Sequence, residues 1–333
     1  MTKRERVLCS IEHKQPDAIP YQIDLTGQAL DRLIEYTGDP NYINTIGNHI
    51  SALNFGEMTE IKQGYFKDEY SVIWNRTGAD KDIGVIDGLV LLDPSIANFK
   101  TPHIDYNLWR SNIESKMASA RDTCTIFCIG FSMFERAWTL RGIENLLMDM
   151  VAEPDFVNDL LDTICEHNLK LLDMALEYPF DGIHFGDDWG QQKGTIMGAR
   201  YWKEFIKPRV ARMYDRARNA GRFVSQHSCG DISELFPDLI EIGLNVYQTF
   251  QPEIYDIDSV KREYGSDLTF WGGISTQRVL PFVSPDEVKR VAYDIMDRLG
   301  KGGGYIAAPT HSVPGDVPPE NIVALVDVFK QQI

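Results

Sequence analysis

The sequence predicts an α/β fold, specifically a single (β/α)8 barrel of the TIM type with added helices and hairpins near the N-terminus. From residue 123 onwards, strand-like and helix-like segments alternate at least six times with no antiparallel hairpin between them. This alternation requires a parallel sheet with helices outside it. A strand-like segment at residues 18–26 brings the strands to seven, and we expect an eighth between residues 30 and 105. Eight such strands close best as a barrel.

A doubly wound open sheet is the alternative architecture. It has less support, because no G-x-G-x-x-G motif follows the first strand. No internal repeat or low-complexity linker marks a second domain. We therefore expect one domain over residues 1–333, with an N-terminal part and rim elements at 1–105 and regular β/α units at 106–333.

Most element boundaries follow from periodicity and from prolines. Residues 27–60 look helical with interruptions, and residues 65–93 look like antiparallel excursions that form a rim or lid. Pro208 must kink or divide a helix predicted over residues 199–220. The regular part begins with a strand at residues 123–131, and the later strands lie at residues 181–189, 222–229, 244–250, 268–274 and 302–308.

Two helix starts carry the spacing of a capping box. Thr2 and Glu5 predict one for a helix that ends near residue 14. Asp231 and Glu234 predict another, directly after a strand. A strand that ends in polar residues and leads at once into a capped helix is typical of the active sites of parallel α/β proteins.

Charge and composition exclude several classes of protein. The chain has 333 residues and a net charge of -16, which argues against nucleic-acid binding because phosphate contacts need a basic face. No apolar run is long enough to span a membrane, and no secretion signal opens the chain. Its five cysteines are scattered without a C-x-x-C motif, as expected of reduced thiols. We expect a cytoplasmic enzyme that binds neither nucleic acid nor membrane.

The strand at residues 222–229 ends in a candidate metal site. Side chains alternate along a strand, so His227 and Cys229 point to the same side. Imidazole and thiolate are the ligands that zinc prefers, and an active zinc site needs a third. His311, after the last strand, has the best position for it, with Asp187 or Asp188 as alternatives. The competing interpretation is a buried histidine and cysteine that merely pack.

Other strand ends carry further candidates for catalysis and substrate binding. Asp187 and Asp188 point to opposite sides of an extended chain, so at most one enters the barrel mouth, while the other caps a helix or holds a histidine. His184 shares the side of Asp188. Aromatic residues in a barrel are more often core than substrate walls. The candidate substrate contacts are Trp189, Gln226, Gln248 and Trp271.

Motifs along nearly the whole chain form a recognisable set. They are Arg4-Glu-Arg-Val-Leu, Glu12-His-Lys, Pro16-Asp-Ala-Ile-Pro20, Gly182-Ile-His-Phe-Gly-Asp-Asp188, His227-Ser-Cys-Gly230, Phe270-Trp-Gly-Gly-Ile-Ser275, Gly303-Gly-Tyr-Ile306 and Val317-Pro-Pro-Glu-Asn321. This set resembles the uroporphyrinogen decarboxylase superfamily, and the resemblance implies a (β/α)8 barrel with its cleft at the C-terminal strand ends.

The superfamily holds decarboxylases and cobalamin-dependent methyltransferases. The decarboxylases bind a polycarboxylate macrocycle through arginines just after the first strand, but residues 21–27 contain none here. The coenzyme M methyltransferases bind zinc through H-x-C and a later cysteine. His227 and Cys229 match the first two ligands, whereas residues 307–314 have no cysteine, and His311 stands there instead. The departure favours action on a methyl donor over transfer to a thiol.

The resemblance therefore implies an enzyme that moves a methyl group from a methyl ether, such as a methoxylated aromatic, to the Co(I) corrinoid of a partner protein. A uroporphyrinogen-type decarboxylase, a methylcobalamin:thiol methyltransferase and a non-catalytic corrinoid-binding scaffold are the alternatives. The expected catalytic residues are Asp187, Asp188, His184 and His227, and the expected metal is zinc. The expected partners are a corrinoid protein, a small-molecule methyl donor and a second copy of the chain in a homodimer.

Overall fold

A computed structural model describes residues 1–78, 84–120 and 122–332. Antiparallel strands lie between residues 58 and 86 and in a short hairpin at residues 190–195, so the prediction of no antiparallel hairpin after residue 123 is wrong at this point. The strands are β1 (Ile50–Phe55), β2 (Met58–Lys62), β3 (Tyr65–Asp68), β4 (Ile73–Asn75), β5 (Val85–Ile86), β6 (Cys124–Ile129), β7 (Gly182–Gly186), β8 (Gly190–Gln191), β9 (Gly194–Thr195), β10 (Phe223–His227), β11 (Val246–Phe250), β12 (Thr269–Ile274) and β13 (Tyr305–Pro309).

The helices alternate with the strands from β6 onwards. Besides a π-helical turn (Trp202–Ile206) and a 3-10 turn (Ser233–Leu235), the described chain contains α-helices. These are α1 (Lys3–Ile11), α2 (Gly27–Thr37), α3 (Tyr42–Thr45), α4 (Tyr106–Ser119), α5 (Phe134–Arg141), α6 (Ile143–Ala152), α7 (Pro154–Ala175), α8 (Gly198–Tyr201), α9 (Lys207–Asn219), α10 (Phe236–Glu241), α11 (Ile257–Tyr264), α12 (Pro285–Gly300) and α13 (Pro319–Lys330).

The chain divides into two compact units. The first unit comprises residues 1–51, 120–125 and 245–333, and the second comprises residues 52–119 and 126–244. In the first unit, β12 pairs in parallel with β11 on one side and β13 on the other. Both β12 and β13 are buried along their whole length, as is usual for parallel strands covered by helices. Helices α12 and α13 pack together, and α12 covers these strands.

The predicted first strand is reduced to isolated bridges in the first unit. Tyr21 bridges to Ala307 in parallel, and Leu25 bridges to Val313 in the same way. Between these bridges, the side-chain amide of Asn48 accepts a hydrogen bond from the backbone N–H of Ile23 and donates one to its carbonyl oxygen, each at 2.9 Å. The strand predicted at residues 18–26 is therefore present only as these two parallel bridges, because the side chain of Asn48 takes the place of a strand neighbour at Ile23.

In the second unit, β7 pairs in parallel with β6 and with β10. Helix α7 packs on α9, which in turn covers β10. Residues 198–219 are helical without a break, and a π-helical turn at residues 202–206 separates α8 from α9, which has Pro208 in its first turn. This interruption of the α-helix just before Pro208 agrees with the prediction that the proline kinks or divides the helix.

An antiparallel sheet of β2, β3, β4 and β5, here called the rim sheet, also belongs to the second unit. It confirms the antiparallel excursions predicted for residues 65–93. Strand β1, by contrast, lies in a region predicted to be helical, and it takes a place beside β6 in the sheet order. It fills the interval in which an eighth strand was expected.

The two capping predictions have different outcomes. Thr2 and Glu5 form the predicted capping box at the start of α1. Asp231 accepts a hydrogen bond from the backbone N–H of Ser233, but Glu234 binds the hydroxyl of Thr195 at 2.7 Å. The second capping box is therefore absent, because the glutamate has a tertiary partner that the sequence spacing does not reveal.

The structure confirms an α/β fold with parallel main-sheet strands, β1, β6, β7 and β10 together with β11, β12 and β13. Closure into a (β/α)8 barrel and a single domain over residues 1–333 stay predictions. Within the described part of the chain, no helix combines the length and the apolar character needed to cross a bilayer.

Candidate functional site

A cavity of about 690 Å³ lies in the second unit, between the rim sheet and the helix that follows β6. Its walls are mostly apolar, and its two ionisable groups among the described lining residues are both carboxyl groups. It is lined by Trp74, Gly84, Val85, Ile86, Gly88, Leu89, Phe131, Glu135, Trp138, Gly142, Ile143 and Asp188.

Phe131, at the C-terminal end of β6, reaches the cavity with a left-handed backbone (φ 48°). This conformation is strained for a bulky non-glycine residue and costs about 1–3 kcal/mol. Its ring packs on Trp74 of the rim sheet, with the ring centroids 5.5 Å apart. Strained residues of this kind concentrate at functional sites, which supports this end of β6 as one.

Glu135 lies in the first turn of α5 and brings a carboxyl group into the cavity. The backbone N–H of Asp188 donates a hydrogen bond to that carboxyl group. Burial raises the pKa of Glu135 well above its ordinary value of 4.5, and the nearby carboxylates of Asp188 and Asp187 raise it further. The pKa shift therefore favours the protonated form of this carboxyl group in a mostly apolar cavity.

Asp187 holds the start of α5 in place. Its fully buried carboxylate accepts backbone hydrogen bonds from Met133, Phe134 and Glu135, at 3.2, 2.9 and 2.8 Å. The indole N–H of Trp189 donates to it as well. Burial raises the pKa of Asp187 to about 6, although these hydrogen bonds favour its charged form. Asp187 thus caps the N-terminus of α5 and positions Glu135.

Asp188 connects the cavity to the candidate metal ligands. Its Oδ1 lies 3.3 Å from Nε2 of His227 and accepts a 2.7 Å hydrogen bond from the backbone N–H of Cys229. Two glycines allow this close approach of the chain segments. A Cβ on Gly190 would lie 2.6 Å from the carbonyl oxygen of Cys229, and one on Gly230 would lie 2.3 Å from the backbone of Gly190.

His227 and Cys229 meet as the strand pattern predicts. Nε2 of His227 lies 3.5 Å from Sγ of Cys229. Zinc with ordinary bond lengths of about 2.0 Å to nitrogen and 2.3 Å to sulfur would separate tetrahedral ligands by about 3.6 Å. Desolvation lowers the pKa of His227, but hydrogen bonds with Asp188 and Cys229 outweigh it and raise that pKa overall. The two donors fit a zinc ion.

The remaining predicted residues of the second unit occupy other surroundings. His184 on β7 lies 2.9 Å from the hydroxyl of Ser225, and burial, with the charge of His227, lowers its pKa to about 3. Gln226 is fully buried and accepts a 2.7 Å hydrogen bond from Tyr214. Trp189 is fully buried against Trp202. Neither Gln226 nor Trp189 lines the described cavity.

Gln248, Trp271 and His311 belong to the first unit. Gln248 on β11 is the register neighbour of Trp271 on β12. Trp271 is buried, and His311 follows the end of β13 and is exposed. Their roles in substrate and metal binding stay predictions.

A buried ion pair joins the rim sheet to α5. The guanidinium of Arg136 lies 2.6 Å from Asp68 and 3.3 Å from Glu69. It also stacks over the ring of Tyr70, at 4.1 Å. Asp68 additionally accepts a hydrogen bond from the indole of Trp74. This network fixes the cavity wall that contains Trp74 against the helix that carries Glu135.

Comparison with known proteins places the chain in a family. A family model described as uroporphyrinogen decarboxylase (URO-D) matches residues 125–332, which is more than half of the chain. The chain belongs to the uroporphyrinogen decarboxylase family. The matched region holds both carboxyl groups of the cavity and the His227–Cys229 pair.

One curated protein and one solved structure are similar to this chain. A curated uroporphyrinogen decarboxylase of Methylococcus capsulatus (strain Bath) is 22% identical over 186 residues, which cover 55% of this chain. The chain matches only half the length of that relative. A solved methyltransferase from Methanosarcina mazei superposes with a TM-score of 0.74 over 99% of both chains at 15% identity, a likeness of fold.

Several cavity residues of this family member were absent from the sequence-based candidates, namely Trp74, Phe131, Glu135 and Trp138. Glu135 stands in the first turn of a helix, where acidic residues usually serve the helix dipole. The available signal was its position six residues after the end of β6, since the catalytic groups of parallel α/β enzymes follow strand ends. The tryptophans gave no local signal, because the rim sheet brings Trp74 to the cavity through long-range packing.

Proposed function

We propose that this protein is a methyltransferase that moves a methyl group from a methyl ether to the Co(I) corrinoid of a partner protein. The donor binds in the cavity of the second unit. The observation that carries the proposal is the position of the Glu135 carboxyl group, whose pKa is raised, in an apolar cavity next to the Asp188–His227–Cys229 cluster. The family membership and the fold likeness to a methyltransferase support it.

The cavity walls suit a flat aromatic donor. Its volume of about 690 Å³ is within the range of small-molecule sites. Trp74, Trp138 and Phe131 provide aromatic surfaces against which a ring can stack. Such walls exclude water and hold the methoxy group in a fixed orientation, which favours an in-line displacement.

Breaking the bond between oxygen and methyl carbon leaves an alkoxide or phenolate that must be neutralised. Glu135 suits this task, because burial raises its pKa and so favours the protonated form that can donate to the leaving oxygen. Asp187 holds the first turn of α5 and therefore fixes where that proton is offered. The reduced corrinoid supplies the nucleophile for the methyl carbon, so the chain itself needs none.

A zinc ion bound at His227 and Cys229 would supply a Lewis acid for the same oxygen. Asp188 lies against both residues and lines the cavity, so it connects the donor with this pair. The third ligand proposed from the sequence is His311. Zinc would then assist Glu135 without replacing it.

Decarboxylation of a polycarboxylate macrocycle is less compatible with the cavity. Such a substrate needs cationic partners, yet the described lining residues include neither lysine nor arginine. Asp188 would instead repel it, and the net charge of -16 adds to the repulsion at long range.

The proposal is tested by mixing the purified enzyme with a Co(I) corrinoid protein and a panel of methoxyarenes. We expect a methylated corrinoid, seen by its absorption spectrum, and an equal amount of free phenol, measured by chromatography. A parallel incubation with uroporphyrinogen should give no decarboxylation. Decarboxylation there, with no transfer from any donor, would refute the proposal.

A further inference from the structure

The cavity has neither lysine nor arginine among its described lining residues. Asp188 and Glu135 are the ionisable groups among those residues, and both are acidic. Two cationic groups near them are already paired, since His227 lies 3.3 Å from Asp188, and the guanidinium of Arg136 lies 2.6 Å from Asp68 and 3.3 Å from Glu69. Arg136 is only 4% exposed and does not line the cavity. A bound anion therefore meets no available positive partner among these residues.

A negatively charged donor would lose much on entering this cavity. A carboxylate that leaves water without a cation or a set of donors pays a large desolvation cost. The apolar walls of Trp74, Trp138 and Ile143 offer it no replacement hydrogen bonds. A neutral ring of the same size loses only its contact with water, and burial of its apolar surface favours binding.

We infer that the cavity selects methyl donors without a negative charge, namely neutral methoxyphenols, and rejects methoxybenzoates. This inference deepens the proposed function and depends on it for the chemical class of the donor. Ile143 and Val85 line the cavity and are 39% and 70% exposed. A cation introduced at either position would favour methoxybenzoates instead.

The test measures binding of each arene directly, by quenching of tryptophan fluorescence and by calorimetry, with the full chain and without the corrinoid protein. The matched probes are a methoxyphenol and the methoxybenzoate that carries a carboxylate at the same ring position. At neutral pH the methoxyphenol should bind about tenfold or more tightly, the factor expected for one unpaired buried charge.

A gain-of-binding variant sharpens the test. Ile143→Lys places a cation at the cavity and should shift the ratio of the two affinities about tenfold towards the methoxybenzoate. Val151→Lys is the matched control, because Val151 lies two turns further along α6, is 67% exposed and does not line the cavity. It adds the same charge to the protein and should leave both affinities unchanged.

Equal or tighter binding of the methoxybenzoate to the unmodified protein would overturn the inference. A loss of the methoxyphenol preference only in Ile143→Lys would support it. Methyl transfer from methoxybenzoates alone would overturn it while leaving the proposed function intact. Preferential binding of methoxyphenol without methyl transfer would support the selectivity and remove the proposed function instead.

Discussion

The Oδ1 atom of Asp188 lies 3.3 Å from Nε2 of His227, and the same carboxylate lines the cavity of the second unit. One side chain therefore touches both the candidate metal pair and the space in which a donor would bind. The backbone N–H of Asp188 also donates to Glu135, on the other side of the same residue. The candidate acid and the candidate metal ligands are thus held at a fixed separation by a single residue of the chain.

Glu135→Gln should abolish most of the methyl transfer. The amide keeps the size of the side chain but has no acidic proton for the leaving oxygen, so the rate should fall about 10²–10⁴-fold. Donor affinity should change little. The measurement is single-turnover phenol release, with Glu144→Gln on the exposed side of α6 as the control. An undiminished rate in Glu135→Gln would exclude this residue as the acid.

The same variant should change how stability depends on pH. Glu135 has a raised pKa in the native state, so above pH 4.5 the unfolded chain releases a proton that the native chain retains. The wild-type protein therefore loses stability relative to Glu135→Gln as the pH rises from 4.5 towards that native pKa, by at most about 1.4 kcal/mol per pH unit. Below pH 4.5 the difference should stop changing. Urea denaturation at several pH values measures it, and a difference that is constant with pH would contradict the assignment.

Asp187→Asn should destabilise the protein by about 2–4 kcal/mol. The neutral amide has one acceptor oxygen, whereas the buried carboxylate accepts from three backbone N–H groups at the start of α5. Asp256→Asn is the control, because Asp256 caps the exposed start of α11 and asparagine caps about equally well. Equal unfolding midpoints for the two variants would show that the hydrogen bonds of Asp187 stabilise the protein no more than the exposed cap at Asp256 does.

Arg136→Met should weaken both stability and donor binding. It leaves Asp68 buried without its cation, which costs about 3–5 kcal/mol. It also removes the ion pair that holds Asp68, and with it Trp74, against α5. The KM for the donor should therefore rise more than kcat falls. Arg212→Met removes an exposed ion pair with Glu166 and should cost less than about 1 kcal/mol. If both variants show the same KM, the pair has no positioning role.

His227→Ala and Cys229→Ser should each lower the zinc content of the anaerobically purified protein. Both side chains supply donors at a separation suited to zinc, so the loss of either removes a ligand. His311→Ala tests the third ligand predicted from the sequence. Cys9→Ser is the control, because Cys9 is also a partly exposed free cysteine but lies in α1. Metal content by elemental analysis decides the matter, and zinc at wild-type levels in all three site variants would exclude the site.

Local patterns predicted the elements whose residues interact with near neighbours. The alternation along β10 predicted the meeting of His227 and Cys229, and Pro208 predicted a helix boundary. The strand predicted at residues 18–26 did not form regularly, since Asn48 takes the hydrogen bonds of Ile23. That replacement comes from a residue 25 positions away and leaves no trace in the local sequence.

The candidate site was predictable only in part, for a related physical reason. Asp187 and Asp188 were identified from their place after β7. Which of them caps a helix and which contacts the candidate metal ligands depends on the groups that surround each carboxylate. Asp187 meets the N-terminus of α5, and Asp188 meets His227 and Cys229. Glu135 acquires its raised pKa from burial under the rim sheet and from two carboxylates distant in sequence. Such surroundings arise from tertiary packing, not from spacing along the chain.

The central claim is that the methyl group of a neutral methyl ether passes to the corrinoid of a partner protein. The most direct measurement follows a ¹³C label in the methoxy group of a methoxyphenol during a single turnover with the Co(I) corrinoid protein. The account predicts that the label appears on the corrinoid in a one-to-one ratio with the released phenol, and that Glu135→Gln suppresses both. A label that stays on the arene while a porphyrinogen carboxylate is lost as carbon dioxide would contradict it.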